Sequence, residues 1–163
     1  MLSPARMASW NLMSYWKHRL TLGANTRCTA DPNSAVYLEG TTMRVKRVLV
    51  VDDEAQMRRV LRASLVVHGY DVVEASSGEE ALKTLNNEPC DLVLLDLNLP
   101  GIDGIDTCRA IRSTSGVPVV VVSIRDSEKD RSTALAAGAN CYVTKPFSFD
   151  AILSHIQVLS RTG

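Results

Sequence analysis

The chain has 163 residues, 45% hydrophobic, 22% charged and only 5% aromatic, the size and make-up of one ordinary domain with a modest appendage. Eighteen basic residues balance eighteen acidic ones, which excludes a strong overall field for nucleic acid or anionic lipid and excludes a disordered polyelectrolyte. Its longest apolar runs, such as Val48 to Val51 and Val117 to Val122, fall far short of the roughly 20 residues needed to cross a bilayer.

Charge divides unevenly. Residues 1–44 hold five bases (Arg6, Lys17, Arg19, Arg27, Arg44) against Asp31 and Glu39, which leaves thirteen bases and sixteen acids in residues 45–163, a net −3. Trp10, Leu12, Tyr15, Trp16 and Leu20 could share a helical face, but Arg19 would project among them. The segment is poor in acids and contains Ser and Arg, as transit peptides do, yet its charges follow the apolar residues, the wrong polarity for a secretory signal. The reading is a disordered N-terminal extension over residues 1–44 ahead of a domain over 45–163. Four cysteines (Cys28, Cys90, Cys108, Cys141) are scattered with no CxxC pair. That pattern suggests neither a zinc site nor a redox motif, and predicts reduced thiols in a cytoplasmic protein. Cys90, Cys108 and Cys141 sit where a free cysteine behaves as a small core residue.

From Val45 onward, apolar runs near 47–52, 70–75, 91–96, 117–123 and 140–144 start 21 to 26 residues apart, with helical patterns between them. Such a βα repeat predicts an α/β fold: a doubly wound, five-stranded parallel sheet with helices on both faces. The runs Val48-Leu49-Val50-Val51 and Leu92-Val93-Leu94-Leu95 do not alternate with polar residues, as expected of strands covered on both sides. A first helix places Met57, Val60, Leu61, Ser64 and Leu65 on one face, with Arg58, Arg59 and Arg62 outside. A second opens with Ser77 and Glu80 in capping-box spacing and ends near Asn86-Asn87. Three more run over Gly104 to Arg112, Ser127 to Ala137 and Phe149 to Ser160, the last repeating Phe149, Ile152, Leu153, Ile156 and Leu159 on one face.

Ligands of open parallel sheets gather beyond the carboxyl ends of the strands. There the first strand ends in Asp52-Asp53, the third in Asp96 and the fourth in Ser123, while Lys145-Pro146 follows the fifth. Carboxylates this close repel by about 4 kcal/mol per pair at an effective dielectric near 20, so a cation must join them or some must protonate. Mg²⁺ takes one or two carboxylates, keeps several waters and bridges to phosphate oxygens. An Asp beside Mg²⁺ and an ammonium is also a recognised nucleophile for phosphoryl groups. Taken singly, each residue has a plainer reading: Asp53 as a helix cap, Ser123 as a loop hydroxyl, Lys145 as a solvated charge, Tyr142 as core. Their gathering on one rim is what argues for chemistry.

The run from Val48 to Glu54, the run Asp91-Leu92-Val93-Leu94-Leu95-Asp96-Leu97-Asn98-Leu99-Pro100-Gly101, Ser123, and Gly138-Ala139 with Tyr142-Val143-Thr144-Lys145-Pro146-Phe147 resemble the receiver domain of two-component response regulators. The resemblance covers about residues 45–160 and is closest to receivers of the winged-helix transcription-factor group. It implies a flavodoxin-like (βα)5 fold and a phosphoacceptor signalling protein that catalyses only its own phosphorylation and dephosphorylation. By it, Asp96 accepts a phosphoryl group from a sensor histidine kinase or phosphotransfer protein. Asp53 and Asp96 hold Mg²⁺ directly, Asp52 through water and Asn98 through its backbone carbonyl. Lys145 pairs with Asp96 and then with the phosphoryl oxygens. Ser123 swings to the phosphate, Tyr142 turns inward into the space vacated, and the Lys145-Pro146 bond is cis.

The sequence also departs from that group. Only 17 residues follow Pro146, too few for a DNA-binding domain, so the chain reads either as a stand-alone receiver or as a truncation that has lost an effector domain; no direct nucleic-acid contact is expected, and the downstream effector is not named by the residues. Asn140, Cys141, Ala151 and His155 replace charges usual in the group's dimer face, with Arg131 surviving, which predicts poor dimerisation there. Ile124 stands where a small residue is usual beside the pocket, which predicts slower access for phosphodonors and water. Two rivals from other classes fit less well. A haloacid-dehalogenase-type phosphatase needs a second Asp where Asn98 stands, and an amide cannot donate a proton; a flavodoxin-like cofactor domain needs a Gly-rich or hydroxyl-rich phosphate loop where Asp52-Asp53 would repel the ligand. A binding module that ignores phosphorylation would leave every one of these competent residues idle.

Overall fold

A computed structural model describes residues 47–161; the expectation for residues 1–44 lies outside them. Five strands and five helices alternate along the chain: β1 (Arg47–Val51), α1 (Ala55–Val67), β2 (Asp71–Ala75), α2 (Gly78–Asn87), β3 (Leu92–Leu95), α3 (Gly104–Thr114), β4 (Val119–Ser123), α4 (Glu128–Ala136), β5 (Cys141–Thr144) and α5 (Phe149–Arg161). The strands form one parallel sheet in the order β2-β1-β3-β4-β5. Every strand-end residue picked out above therefore falls at one edge of one sheet.

Two apolar cores follow from the two-residue repeat of the strands. On one face Leu49, Val51, Val93, Leu95, Val119 and Val121 pack against residues of α2, α3 and α4. On the other, Val48, Val50, Leu92, Leu94, Val120 and Val122 pack against α1 and α5. In α1 only Leu61 and Leu65 are buried, and Val60 is 55% exposed, so the apolar stripe there is narrower than its spacing predicts. Ser77 caps α2 as expected, accepting from Glu80 N at 3.2 Å. The Glu80 carboxylate in return accepts from Ser76 N and Oγ (2.7 and 2.8 Å) rather than from Ser77 N. Cys90 and Cys108 are free and buried, their thiols pushed up to about 11 by burial. Cys141 is disulfide-bonded, which corrects the expectation of a reduced thiol there.

Gly138, at φ +107° after α4, has a backbone that only glycine adopts without strain, and a Cβ there would run into the Arg112 side chain. Arg112 reaches this turn from α3, donating through Nε to Gly138 O at 2.7 Å and through Nη2 to Asn140 Oδ1. Asn140 Oδ1 also accepts from Val119 N at 2.9 Å. Burial pulls the Arg112 pKa down, and no carboxylate among the described residues forms an ion pair with it. Asn140→Asp keeps both hydrogen bonds and makes them charge-assisted. It is expected to stabilise the domain by about 1 kcal/mol, raising the Tm by roughly 4 °C at pH 7. The new carboxyl, held below its unfolded pKa by Arg112, contributes above that unfolded value, and the gain is lost as the pH falls through the folded one. An unchanged or lower Tm at pH 7 overturns this account of the turn.

Candidate functional site

Inter-strand hydrogen bonding continues past the strand ends and fixes the residues that matter. Asp52 N donates to Ala75 O (3.2 Å), Asp96 N to Val51 O (2.9 Å) and Lys145 N to Ser123 O (2.8 Å). Asp52, Asp96 and Lys145 are thus held on the frame of the sheet instead of in free loops. One oxygen each of Asp52, Asp53 and Asp96 lie within 4.8 Å of one another. Asp52 and Asp96 are buried, at 2% and 5% exposure, and Asp53 is exposed. Gly104, the first residue of α3, presses against the backbone of Asp96 and Leu97; a Cβ there would sit 2.4 Å from Asp96 O. The pocket floor leaves no room for a side chain at that position.

Lys145 Nζ lies 2.8 Å from Asp52 Oδ2 and 3.7 Å from Asp96 Oδ2, so the ammonium is shared, and its shorter arm falls on Asp52 where the resemblance points to Asp96. In each carboxylate Oδ1 accepts from a backbone amide, Glu54 N for Asp52 (2.9 Å) and Leu97 N for Asp96 (2.8 Å), and Oδ2 is the oxygen that faces the lysine. Burial holds the Asp96 carboxyl above its ordinary range. Lys145 and the Leu97 and Asn98 amides pull it back, and Asp52 pushes it further up. Three carboxylates against one ammonium leave two negative charges uncompensated at the rim, with hard oxygen donors pointing together. That donor set fits a divalent cation of the Mg²⁺ type.

Ser123 is fully buried at the end of β4, its Oγ accepting from Arg125 N at 3.3 Å. Tyr142 is 7% exposed and donates to Arg125 O at 2.6 Å, so its ring already lies inward. Burial pushes its phenol up, and a hydrogen bond with Ser123 opposes that. Arg131 Cζ stands 5.2 Å from the centre of the Tyr142 ring. The Lys145-Pro146 peptide is cis. Asn98 spends its side-chain oxygen on Arg125 Nε at 2.8 Å.

Two cations of the site were missed in the sequence. Arg58, assigned there to the outer face of α1, folds back so that its guanidinium donates to Asp52 O (2.6 Å) and Asp53 O (3.0 Å), with Glu74 at 3.6 Å. A base in the first turn of a helix sits against the helix dipole, and that misplacement was the available signal. Arg125, two residues after Ser123, had no such signal.

Residues 48–157 match the response regulator receiver domain family. The transcriptional regulatory protein KdpE of Mycobacterium tuberculosis (strain ATCC 25618 / H37Rv) is 46% identical over 114 residues, covering 70% of this chain and 50% of that protein. Among solved structures, the BeF3-activated N-terminal receiver domain of Klebsiella pneumoniae RstA superposes with a TM-score of 0.69 at 31% identity, covering 71% of this chain and 99% of that one. The Thermotoga maritima response regulator TrrA, solved in complex with Mg(2+)-BeF, gives 0.65 at 35% identity, covering 70% and 98%.

A five-stranded parallel sheet with an acidic pocket and a lysine at its carboxyl edge defines a phosphorylation-switched signalling receiver. The chain belongs to the response regulator receiver domain family, and its relatives are regulators of the winged-helix group. It spans about half the length of the curated relatives it matches. No helix among the described residues is long and apolar enough to cross a membrane.

Proposed function

We propose that Asp96 is the phosphoacceptor of this receiver, phosphorylated in the cytoplasm by a sensor histidine kinase or phosphotransfer protein and dependent on Mg²⁺. The observation that carries the reading is the convergence of Asp52, Asp53 and Asp96 around the Lys145 ammonium. Asp53, exposed, and Asp96 would hold the metal directly, with Asn98 adding its backbone carbonyl. Both oxygens of Asp52 are already engaged, by Glu54 N and by Lys145, which favours contact through water. When bound, such an ion would supply charge neutralisation for phosphoryl oxygens. Asp96 Oδ2 attacks phosphorus, the bond from phosphorus to the donor breaks, and the donor leaves with its electron pair. Lys145 then bridges to the new phosphoryl oxygens, Ser123 turns its hydroxyl to them, and Tyr142 stays inward. The chain turns over no substrate besides this group. The Thermotoga relative, solved with Mg(2+)-BeF, supports both the metal and the phosphoryl mimic.

Incubating the protein with acetyl phosphate and Mg²⁺ is expected to add approximately 80 Da by intact mass, lost when EDTA replaces the metal. No adduct, or one indifferent to EDTA, refutes the reading and favours a binding module that ignores phosphorylation.

Ile124, 64% exposed directly after Ser123, is expected to slow the approach of water. Ile124→Ala should therefore shorten the phosphoryl lifetime about two- to fivefold, a few tenths to 1 kcal/mol of barrier, and an unchanged hydrolysis rate counts against it. Dimerisation through α4, β5 and α5 is expected to be weak, because Asn140 is committed to Arg112 and Val119 N and Arg131 packs on Tyr142. A tight dimer through that face, in sedimentation with beryllium fluoride and Mg²⁺, overturns this.

A further inference from the structure

Residues 124–127 belong to neither strand nor helix, so no ladder of hydrogen bonds fixes them. Arg125, within this stretch, is nevertheless bonded through four separate groups to four parts of the site. Its N–H donates to Ser123 Oγ at 3.3 Å, and its carbonyl accepts from Tyr142 Oη at 2.6 Å. Its Nε donates to Asn98 Oδ1 at 2.8 Å and its Nη2 to Asp103 Oδ2 at 3.2 Å.

The anchors are themselves held. Asp103 is the cap of α3, its other carboxylate oxygen taking Ile105 N at 2.8 Å. From the opposite side Glu79 of α2 accepts Ile102 N at 3.0 Å. The segment after Asp96 is thus a braced surface, and the guanidinium fork clips the β4–α4 loop onto it. The Tyr142 hydroxyl depends on that clip, because its acceptor is the carbonyl of the same clipped residue. A buried phenol deprived of its acceptor is costly. Arg131 holds the ring by its face from α4, which does not direct the hydroxyl.

We infer that Arg125 is a positioning residue that keeps Tyr142 inward by strapping the β4–α4 loop to the loop that follows Asp96. The strap gives events at the acceptor a direct route to the β5 face, since whatever displaces Asn98 moves the carbonyl on which Tyr142 rests. It rests on the proposed function only in taking Asp96 as the acceptor; the Tyr142 geometry stands without it.

The protein labelled with 3-fluorotyrosine, its Tyr142 signal assigned by Tyr142→Phe, reads the strap by fluorine NMR. Wild type is expected to show a buried-type Tyr142 signal. In Arg125→Ala the ratio of buried to exposed signal is expected to fall by about tenfold or more, the worth of a charge-assisted hydrogen bond. Arg125→Lys is expected to fall likewise, because an ammonium lacks the planar fork that spans two acceptors. Asn98→Ala, which removes an acceptor and leaves Arg125 intact, moves the signal the same way and serves if Arg125→Ala does not fold. An unmoved Tyr142 signal in the folded Arg125 variants, or full rescue by lysine, overturns the strap. Acetyl phosphate is run beside the wild-type sample: failure to form an adduct refutes the acceptor assignment and leaves the fluorine result to judge the strap.

Discussion

Asp96→Asn is expected to lose the acyl-phosphate adduct completely and to melt higher than wild type at neutral pH. The loss follows from removing the nucleophile. The gain follows from burial: the Asp96 carboxyl is 5% exposed and desolvation raises its pKa, so the folded state binds a proton more readily than the unfolded chain. A group with a raised folded pKa contributes its full stability below the unfolded pKa and loses it as the pH rises through the folded value. At pH 7 the ionised carboxylate is therefore a cost, and a neutral amide of the same shape removes it. Asparagine keeps an oxygen for Leu97 N, now at 2.8 Å, and Lys145 keeps its shorter pair with Asp52. The expected gain is about 1 kcal/mol, or roughly 4 °C in Tm. Measured across pH without metal, the difference between the two proteins should shrink toward zero near pH 4. A lower Tm for Asp96→Asn at pH 7, or a difference that grows in acid, would show that the carboxylate supports the fold instead of straining it.

The place of Asp96 at the carboxyl edge of the sheet is also why the candidate site residues stand out in the sequence. Parallel strands covered on both sides must be continuous apolar runs, so the residue where each run stops marks the carboxyl edge. Charged residues there have no structural reason to cluster. Asp52, Asp53, Asp96, Ser123 and Lys145 were visible for that reason. Capping chemistry made Ser77 legible, though not that Glu80 would turn to Ser76. What stayed hidden depends on long side chains that travel. Arg58 and Arg125 sit on an exposed helix turn and in a loop, and only the tertiary structure shows their guanidinium groups laid across the carbonyls of Asp52 and Asp53 and across Asn98 and Asp103. The sharing of Lys145 between two carboxylates was equally out of reach, because it depends on where the fold places the ammonium between them.

Lys145→Met tests that sharing with the second large effect. The substitution keeps the aliphatic volume, so packing changes little, and removes the ammonium 2.8 Å from Asp52 and 3.7 Å from Asp96. Two carboxylates that are nearly inaccessible to water then face each other without a counter-charge. Breaking a buried pair from one side costs about 3 kcal/mol, so in EDTA at pH 7.5 the variant is expected to melt roughly 10 °C below wild type. Two treatments should restore it. Without the lysine nothing offsets the burial that raises the Asp96 carboxyl, so the deficit shrinks as the pH falls toward its unfolded pKa near 4. Mg²⁺ bound by the folded acidic pocket and not by the unfolded chain, as proposed above, would stabilise by mass action. With no ammonium competing for the same oxygens, the Tm rise on adding Mg²⁺ should be larger in Lys145→Met than in wild type. A deficit that persists unchanged in acid and in Mg²⁺ would place the role of Lys145 in packing, and the charge balance assigned to the pocket would fail with it.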